Sequence, residues 1–189
     1  RRQPRSTLFP YTTLFRSIDT APAYGRSEQR LGQLLTDRHA WVIVSKVGEE
    51  FDQGASHFDF TPEHTRASVE RSLTRLRTDY LDCVLVHSDG NDLEVLRQGT
   101  LEVLEEMKKE GKIRATGMST KTVEGGLATL ARADLAMVTY NLQQRAEQPV
   151  IDYAATHGKG ILIKKACASG HLDERHPDPV QASLNLILG

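Results

Sequence analysis

Four residues that can hold or move a proton stand at or just after short apolar runs. Asp19 and Tyr24 follow Ile18, Lys46 closes the run WVIVSK, and His87 closes LDCVLVH. Three of them have an ordinary structural alternative: a loop cap for Asp19, packing for the tyrosine, and a satisfied core position for the histidine. A purely structural lysine is less expected, because a cation that ends an apolar strand is costly to bury unless it is paired.

Taken together, the four residues suggest proton donation to a developing alkoxide. A phenol, with a reference pKa near 10, is a poor acid at neutral pH. A lysine cation about 4 Å away interacts by roughly 1 kcal/mol in bulk water and roughly 4 kcal/mol at an effective dielectric of 20. Only the larger value makes the phenol an effective acid, so we expect Lys46 to lie in a desolvated pocket. There Asp19 would keep it charged and oriented, and His87 could hydrogen-bond a substrate carbonyl.

The elements that carry these residues alternate between strand-like and helical patterns. A helix start is predicted at Thr61-Pro62, and Val69, Leu73 and Leu76 recur on one face of the helix that follows. A later helix is predicted to end at Gly111. Five full strands are predicted after a stub at Ile18, over residues 41–47, 81–87, 115–119, 136–141 and 161–166.

This alternation predicts an α/β fold with a parallel sheet, either doubly wound or a (β/α)8 barrel. A dinucleotide-binding doubly wound sheet should show GxGxxG after its first strand, and that string is absent from the sequence. A whole barrel needs about 250 residues, whereas residues 18–189 provide about six units of roughly 30 residues. We therefore predict an incomplete (β/α)8 TIM-type barrel that lacks its first and last βα units.

The opening string RRQPRSTLFPYTTLFRS (1–17) resembles the translation of a sequencing adapter. A signal peptide would need a continuous apolar core, and a disordered arm is the other alternative. We expect 1–17 to be a non-native segment and 18–189 to be one partial barrel domain. Residues 1–17 carry four arginines and no acid, so 18–189 hold 20 bases against 25 acids, a net charge of −5.

Composition excludes several classes of function. No apolar run approaches the roughly 18 residues of a membrane span, and no basic block predicts a nucleic-acid partner. Cys83 and Cys167 form neither a disulfide framework nor a zinc pattern, which fits a cytoplasmic protein without a metal site. No tyrosine is followed four residues later by lysine, as a short-chain dehydrogenase requires, and HExxH and P-loop strings are absent.

Four strings resemble the aldo/keto reductase family: IDTAPAYGRSEQRLG (18–32), SK (45–46), VHSD (86–89) and TGMSTKT (116–122). The resemblance covers essentially all of 18–189. It implies a (β/α)8 barrel, NADPH (or NADH) bound without a Rossmann motif, and hydride transfer to a small aldehyde or ketone.

The same resemblance assigns roles to the site residues. Tyr24 would be the general acid, Lys46 and Asp19 would tune it, and His87 would orient the carbonyl. The nicotinamide would supply the hydride, while the protein positions and polarises the substrate.

The resemblance also implies a set of cofactor-binding residues. Ser119-Thr120 stands where the family commonly has Ser-Asn to hold the nicotinamide carboxamide, and Met137 stands in place of a glutamine. Lys164 replaces a stacking aromatic and could contact cofactor phosphate. Lys165 to Gly170 (165–170) loosely matches a loop toward the pyrophosphate. For both lysines the alternative is a solvated strand end.

Two other functions stay open at this stage: a non-catalytic barrel that binds NADPH as a redox sensor, and an inactive fragment. Residues 48–60 are expected to form a loop that either lines the substrate mouth or is plain solvent-exposed chain.

Overall fold

The computed structural model describes residues 16–172 and 177–188; residues 1–15, most of the expected adapter segment, lie outside it. Among the described residues there are eight strands and seven α-helices. The strands are β1 (Ser17–Asp19), β2 (Val42–Val47), β3 (Glu49–Asp52), β4 (Ala55–Phe58), β5 (Leu81–His87), β6 (Ile113–Ser119), β7 (Leu135–Thr139) and β8 (Gly160–Lys164). The helices are α1 (Ser27–Leu34), α2 (Pro62–Leu76), α3 (Asp92–Arg97), α4 (Thr100–Lys109), α5 (Val123–Leu130), α6 (Gln148–His157) and α7 (Pro179–Leu188).

Six of the strands form one parallel sheet in the order β1-β2-β5-β6-β7-β8. The sheet curls with helices around it, as an incomplete (β/α)8 barrel, which confirms the predicted fold class. The register pairs Asp19 with Val44 and Lys46 with Leu85. Because the strands are parallel, their carboxyl ends meet at one edge of the sheet, where barrels place their reactive side chains.

Strand boundaries differ from the prediction by a few residues for local reasons. Trp41 is left out of β2 because it caps a 3₁₀ turn, its N–H donating to Arg38. The strand predicted over 136–141 ends at Thr139, because Asn141 turns the chain by bonding Gln144. The strand predicted over 161–166 ends at Lys164, before a residue with a φ of 55°.

Residues 48–60, expected to be a loop, form the antiparallel hairpin β3–β4. Gln53 and Gly54 take φ values of 49° and 83°, the two positive values that a two-residue type I′ turn requires. At its base, Gly48 has a φ of 99°, and a Cβ there would lie 2.5 Å from the Phe60 ring. Only glycine therefore fits at the point where the hairpin leaves β2.

The main core lies between the outer face of the sheet and the helices. In α2 the side chains of Val69, Leu73 and Leu76 are buried, as predicted, and Thr61 caps the helix by accepting from the N–H of His64. Helix α4 ends at its C-cap Glu110, with Gly111 just beyond it at a φ of 80°. The helices therefore anchor the sheet, and the site lies at the carboxyl edge of that sheet.

A smaller apolar cluster on the inner face of the sheet centres on Val44, Cys83, Leu85 and Met137. Both cysteines are free thiols, and burial raises the pKa of Cys83 to about 12, so that side chain packs as a small apolar group. In the part of the chain that the structure describes, no helix has both the length and the apolar character needed to cross a membrane.

Candidate active site

Lys46 lies at the centre of the site, near the end of β2. Its side chain is only 2% exposed, and its ammonium lies 2.7 Å from both carboxylate oxygens of Asp19 at the end of β1. A third hydrogen bond of 3.0 Å goes to the carbonyl oxygen of Thr20. The ammonium is thus desolvated and held by a counter-ion, the arrangement that the residue types predicted.

Tyr24 lies on the turn between β1 and α1, where its N–H donates to Ala21. The Lys46 ammonium lies 4.7 Å from the centre of its ring. The ring also meets His87 edge-on, with centroids 6.3 Å apart and planes at 88°. Three strand ends and a turn therefore bring together all four residues singled out for proton chemistry. The tyrosine remains 44% exposed, so a ligand can reach it.

His87 ends β5 and contacts a residue that the sequence did not single out. The Nδ1 atom of its ring lies 2.6 Å from Oε2 of Glu49, the first residue of the β3–β4 hairpin. Burial lowers the pKa of His87, and the cations Lys46 and Lys164 add to that effect, whereas Glu49 opposes it. Finding this contact required knowing that residues 48–60 form a hairpin.

The site opens into a cleft of about 950 Å³ at the carboxyl edge of the sheet. Most of the predicted site residues line it: Asp19, Tyr24, Lys46, His87, Ser119, Lys164 and Lys165. Thr120 is buried behind the wall, and Gly170 is not among the lining residues. Lys121 and Arg145 add positive charge to the lining. The cleft therefore has one half around Lys46 and a second half around Ser119.

In the second half, Lys164 reaches from the end of β8 across β7 to the end of β6. Its ammonium donates to the Ser119 hydroxyl at 2.9 Å and to the Thr120 carbonyl at 2.6 Å. Burial lowers the pKa of Lys164 to about 8, while the carboxylates of Glu147 and Asp92 act in the opposite direction. The solvated-end alternative is therefore wrong for Lys164, although Lys165 beside it is exposed.

Glu147 is a second functional candidate that the sequence did not reveal. It is buried just before α6, where one carboxylate oxygen accepts from the Thr139 N–H at 2.6 Å and the other from the Thr120 hydroxyl at 3.4 Å. Burial raises the pKa of Glu147, and the bond from Thr139 and the charge of Lys164 oppose the rise. This carboxylate therefore balances the half-buried ammonium of Lys164 on the same side of the cleft.

The loop after β6 is held by Asp92 at the start of α3. Its carboxylate accepts from the backbone N–H groups of Lys121 (2.9 Å) and Thr122 (2.8 Å), and from the Thr122 hydroxyl (2.7 Å). Its other oxygen accepts from Ser88 at 2.5 Å. These bonds fix the segment that carries Ser119 and Thr120.

The sequence profile of the aldo/keto reductase family matches residues 13–183. The chain belongs to this family. Curated relatives of this aldo/keto reductase include the uncharacterized oxidoreductase YqkF of Bacillus subtilis (strain 168), 28% identical over 88% of this chain and 56% of the relative. Glyoxal reductase of the same organism is 41% identical over 79% of this chain and 52% of its own length. The chain thus spans about half the length of these relatives.

Solved structures show the same relationship. A Pseudomonas aeruginosa protein provisionally assigned to the aldo-keto reductases is 59% identical, with a TM-score of 0.85 over 92% of this chain and 66% of that protein. The holo form of aldo-keto reductase AKR11C1 from Bacillus halodurans is 29% identical, with a TM-score of 0.74 over 86% of this chain and 56% of that protein. The aldo/keto reductase fold of the described part is thereby established.

Proposed function

We propose that this cleft reduces the carbonyl group of small aldehydes or ketones to an alcohol, with NADPH as the expected cofactor. The supporting observation is the position of the Lys46 ammonium, which is buried between the carboxylate of Asp19 and the ring of Tyr24. A desolvated cation beside a phenol favours proton release from that phenol, because it stabilises the anion left behind.

In this proposal each side chain has one task. Tyr24 donates its hydroxyl proton to the oxygen of the substrate carbonyl, and Lys46 stabilises the resulting phenolate. Asp19 keeps the ammonium charged and in place. His87 hydrogen-bonds the same carbonyl oxygen from the end of β5 and so orients the substrate.

The second half of the cleft fits a nicotinamide cofactor. When bound, the cofactor supplies the hydride that reduces the carbonyl carbon. Ser119 and Thr120 offer polar groups for the carboxamide, and Lys164, Lys165 and Gly170 belong to the segment that would approach the phosphates. The cationic lining of this half suits an anionic ligand.

The test follows NADPH absorbance with a panel of aldehydes and ketones. The assay is run on two proteins: the 189-residue chain and the product of the uninterrupted genomic reading frame that contains residues 18–189. Parallel assays with NADH measure the cofactor preference. Tyr24→Phe should lower turnover by about 10²–10⁴-fold while leaving NADPH affinity nearly intact.

The matched control is Tyr153→Phe, which removes the same atom from a tyrosine on α6 outside the cleft lining. Turnover in that variant should equal that of the wild type. Unchanged turnover in Tyr24→Phe would refute the assigned acid.

A second candidate function is NADPH binding without turnover. Lys164 stands where the family resemblance expects an aromatic that stacks on the nicotinamide, and its ammonium bonds the Ser119 hydroxyl and the Thr120 carbonyl instead. A nicotinamide without that stacking partner would be less well oriented for hydride transfer. Tight NADPH binding with no oxidation by any carbonyl compound would support this redox-sensing alternative over the reductase.

A further inference from the structure

The contact between Glu49 and His87 connects the β3–β4 hairpin to the end of β5. The two side chains are only 17% and 21% exposed, and Oε2 of the glutamate lies 2.6 Å from Nδ1 of the ring. The other carboxylate oxygen, Oε1, accepts from the hydroxyl of Ser56 on the facing strand at 2.7 Å. Both oxygens are therefore engaged, which fixes the direction in which the carboxylate points.

The short distance between Glu49 and the ring bears on which nitrogen of His87 carries a proton. Nδ1 is buried, and among the described residues it makes no hydrogen bond of regular geometry, although Oε2 of Glu49 lies 2.6 Å away. A carboxylate this close favours an N–H over a lone pair at Nδ1, because its negative charge attracts the N–H dipole and repels the lone pair. The nitrogen on the opposite side of the ring, Nε2, is then the one whose proton can leave.

Several charged groups around the ring act on that second proton. Lys46 on β2, Lys164 on β8 and Lys121 after β6 all disfavour the doubly protonated ring, and so does burial. Glu49 on the hairpin is the acidic group that favours it. Tyr24 meets the ring edge-on from the turn after β1. The carboxylate thus offsets part of the effect of burial and of the three cations, although the pKa of His87 remains lowered overall.

We propose that Glu49 is a positioning residue whose charge stabilises a proton on Nδ1 of His87, so that Nε2 donates to a carbonyl only while the ring carries both protons. This inference rests on the proposed reductase function for its catalytic meaning. When the Nε2 proton is lost, the ring can only accept a hydrogen bond from the cleft, and its help to a carbonyl oxygen ends. Reduction should therefore weaken as the pH rises through the His87 titration.

Nitrogen NMR of the imidazole rings tests the proposal without any need for turnover. His87→Gln assigns the signal among the seven histidines. In the wild type the neutral ring should carry its proton on Nδ1. In Glu49→Gln, which keeps an acceptor but removes the charge, the titration should move down by about one to two pH units with the proton still on Nδ1.

Glu49→Leu removes the acceptor as well, and there the neutral ring should carry its proton on Nε2. Glu50→Gln is the matched control: that neighbouring carboxylate contacts Arg71 and His64 on α2, and its loss should leave the His87 titration unchanged. If a Glu49 variant does not fold, Ser56→Ala should shift the titration in the same direction by a smaller amount. A wild-type ring with its neutral proton on Nε2 would overturn the proposal.

Activity provides the second readout. The pH at which kcat/KM falls should move down in Glu49→Gln by the same amount as the NMR titration. A shifted titration with an unshifted kcat/KM profile would refute the link between the Nε2 proton and the carbonyl. If the wild type oxidises no NADPH at any pH, the reductase proposal fails, while the NMR arm still decides the role of Glu49.

Discussion

The two halves of the cleft differ in how their polar groups are satisfied. Around Lys46 the charges are paired, and Tyr24 and His87 meet at the open side of the cleft. Around Ser119 the groups expected to hold a cofactor already bond to one another, through Lys164. The first half is therefore preorganised for a ligand, whereas in the second half a ligand must share or replace internal hydrogen bonds.

The largest effects should come from the Lys46–Asp19 pair, because it defines the preorganised half. Lys46→Met should lower kcat/KM by about 10²–10⁴-fold but change stability little, because an apolar chain of similar size replaces a buried cation. Asp19→Asn leaves that cation buried without its counter-charge and should cost about 2 kcal/mol in the free energy of unfolding. Steady-state NADPH oxidation and urea unfolding measure the two effects.

Lys112→Met serves as the control, since Lys112 forms surface ion pairs with Glu70 and Glu110 and lies outside this cleft. Its activity should match that of the wild type. Equal stability losses in Lys46→Met and Asp19→Asn would contradict the asymmetry between a buried cation and a half-exposed carboxylate.

The preorganised half, around Lys46, can be predicted from the sequence because its residues belong to local sequence patterns. Short apolar runs that end in a polar residue fix both the strand and the edge at which the side chain lies, as for Lys46 and His87. The ends of the strands are predicted less accurately than the strands themselves, because turns such as the one at Asn141 depend on hydrogen bonds between nearby backbone groups.

The residues that the sequence did not reveal depend on contacts between distant segments. Glu49 reaches His87 only because the Gln53-Gly54 turn closes a hairpin, and Gln-Gly is a weaker signal than Asn-Gly. Glu147 is an isolated acid in the sequence, and the hydrogen bond that it accepts from the Thr139 N–H is formed only in the fold. Lys164 bonds Ser119 across 45 residues, a pairing that neither periodicity nor composition encodes.

The loop after β6 offers a way to disturb the second half alone. Asp92→Asn weakens the hydrogen bonds that fix Lys121 and Thr122, and an amide can turn a donor toward those N–H groups. We expect a loss of about 2–4 kcal/mol in the free energy of unfolding and roughly tenfold weaker NADPH binding. Urea unfolding and a fluorescence titration with NADPH provide the measurements.

Asp89→Asn is the matched control, because Asp89 lies in the loop after β5, just before Asp92, but is exposed and accepts from the Asn91 N–H near the surface. It should leave NADPH affinity and stability close to those of the wild type. Equal effects of the two substitutions would show that Asp92 does not specifically anchor the second half of the cleft.

The smallest effect concerns the Lys164 ammonium and its dependence on pH. In the folded protein its pKa is lowered from 10.5 to about 8, chiefly by burial. Between these two values the unfolded chain holds the proton and the folded chain has lost it, so the free energy of unfolding must rise with pH across that interval. Below about pH 8 both states are charged, and the buried ammonium lowers stability by its full amount.

Lys164→Met should abolish this rise and stabilise the protein near pH 7 by about 1–2 kcal/mol, a value reduced by the solvent that reaches the side chain. Urea unfolding at several pH values gives the difference between variant and wild type. Lys165→Met, at the exposed neighbouring position, should follow the wild-type curve. The curves of Lys164→Met and the wild type could instead run parallel over the whole interval. Burial of the Lys164 ammonium would then cost no free energy of unfolding, and the contrast with the preorganised half would disappear.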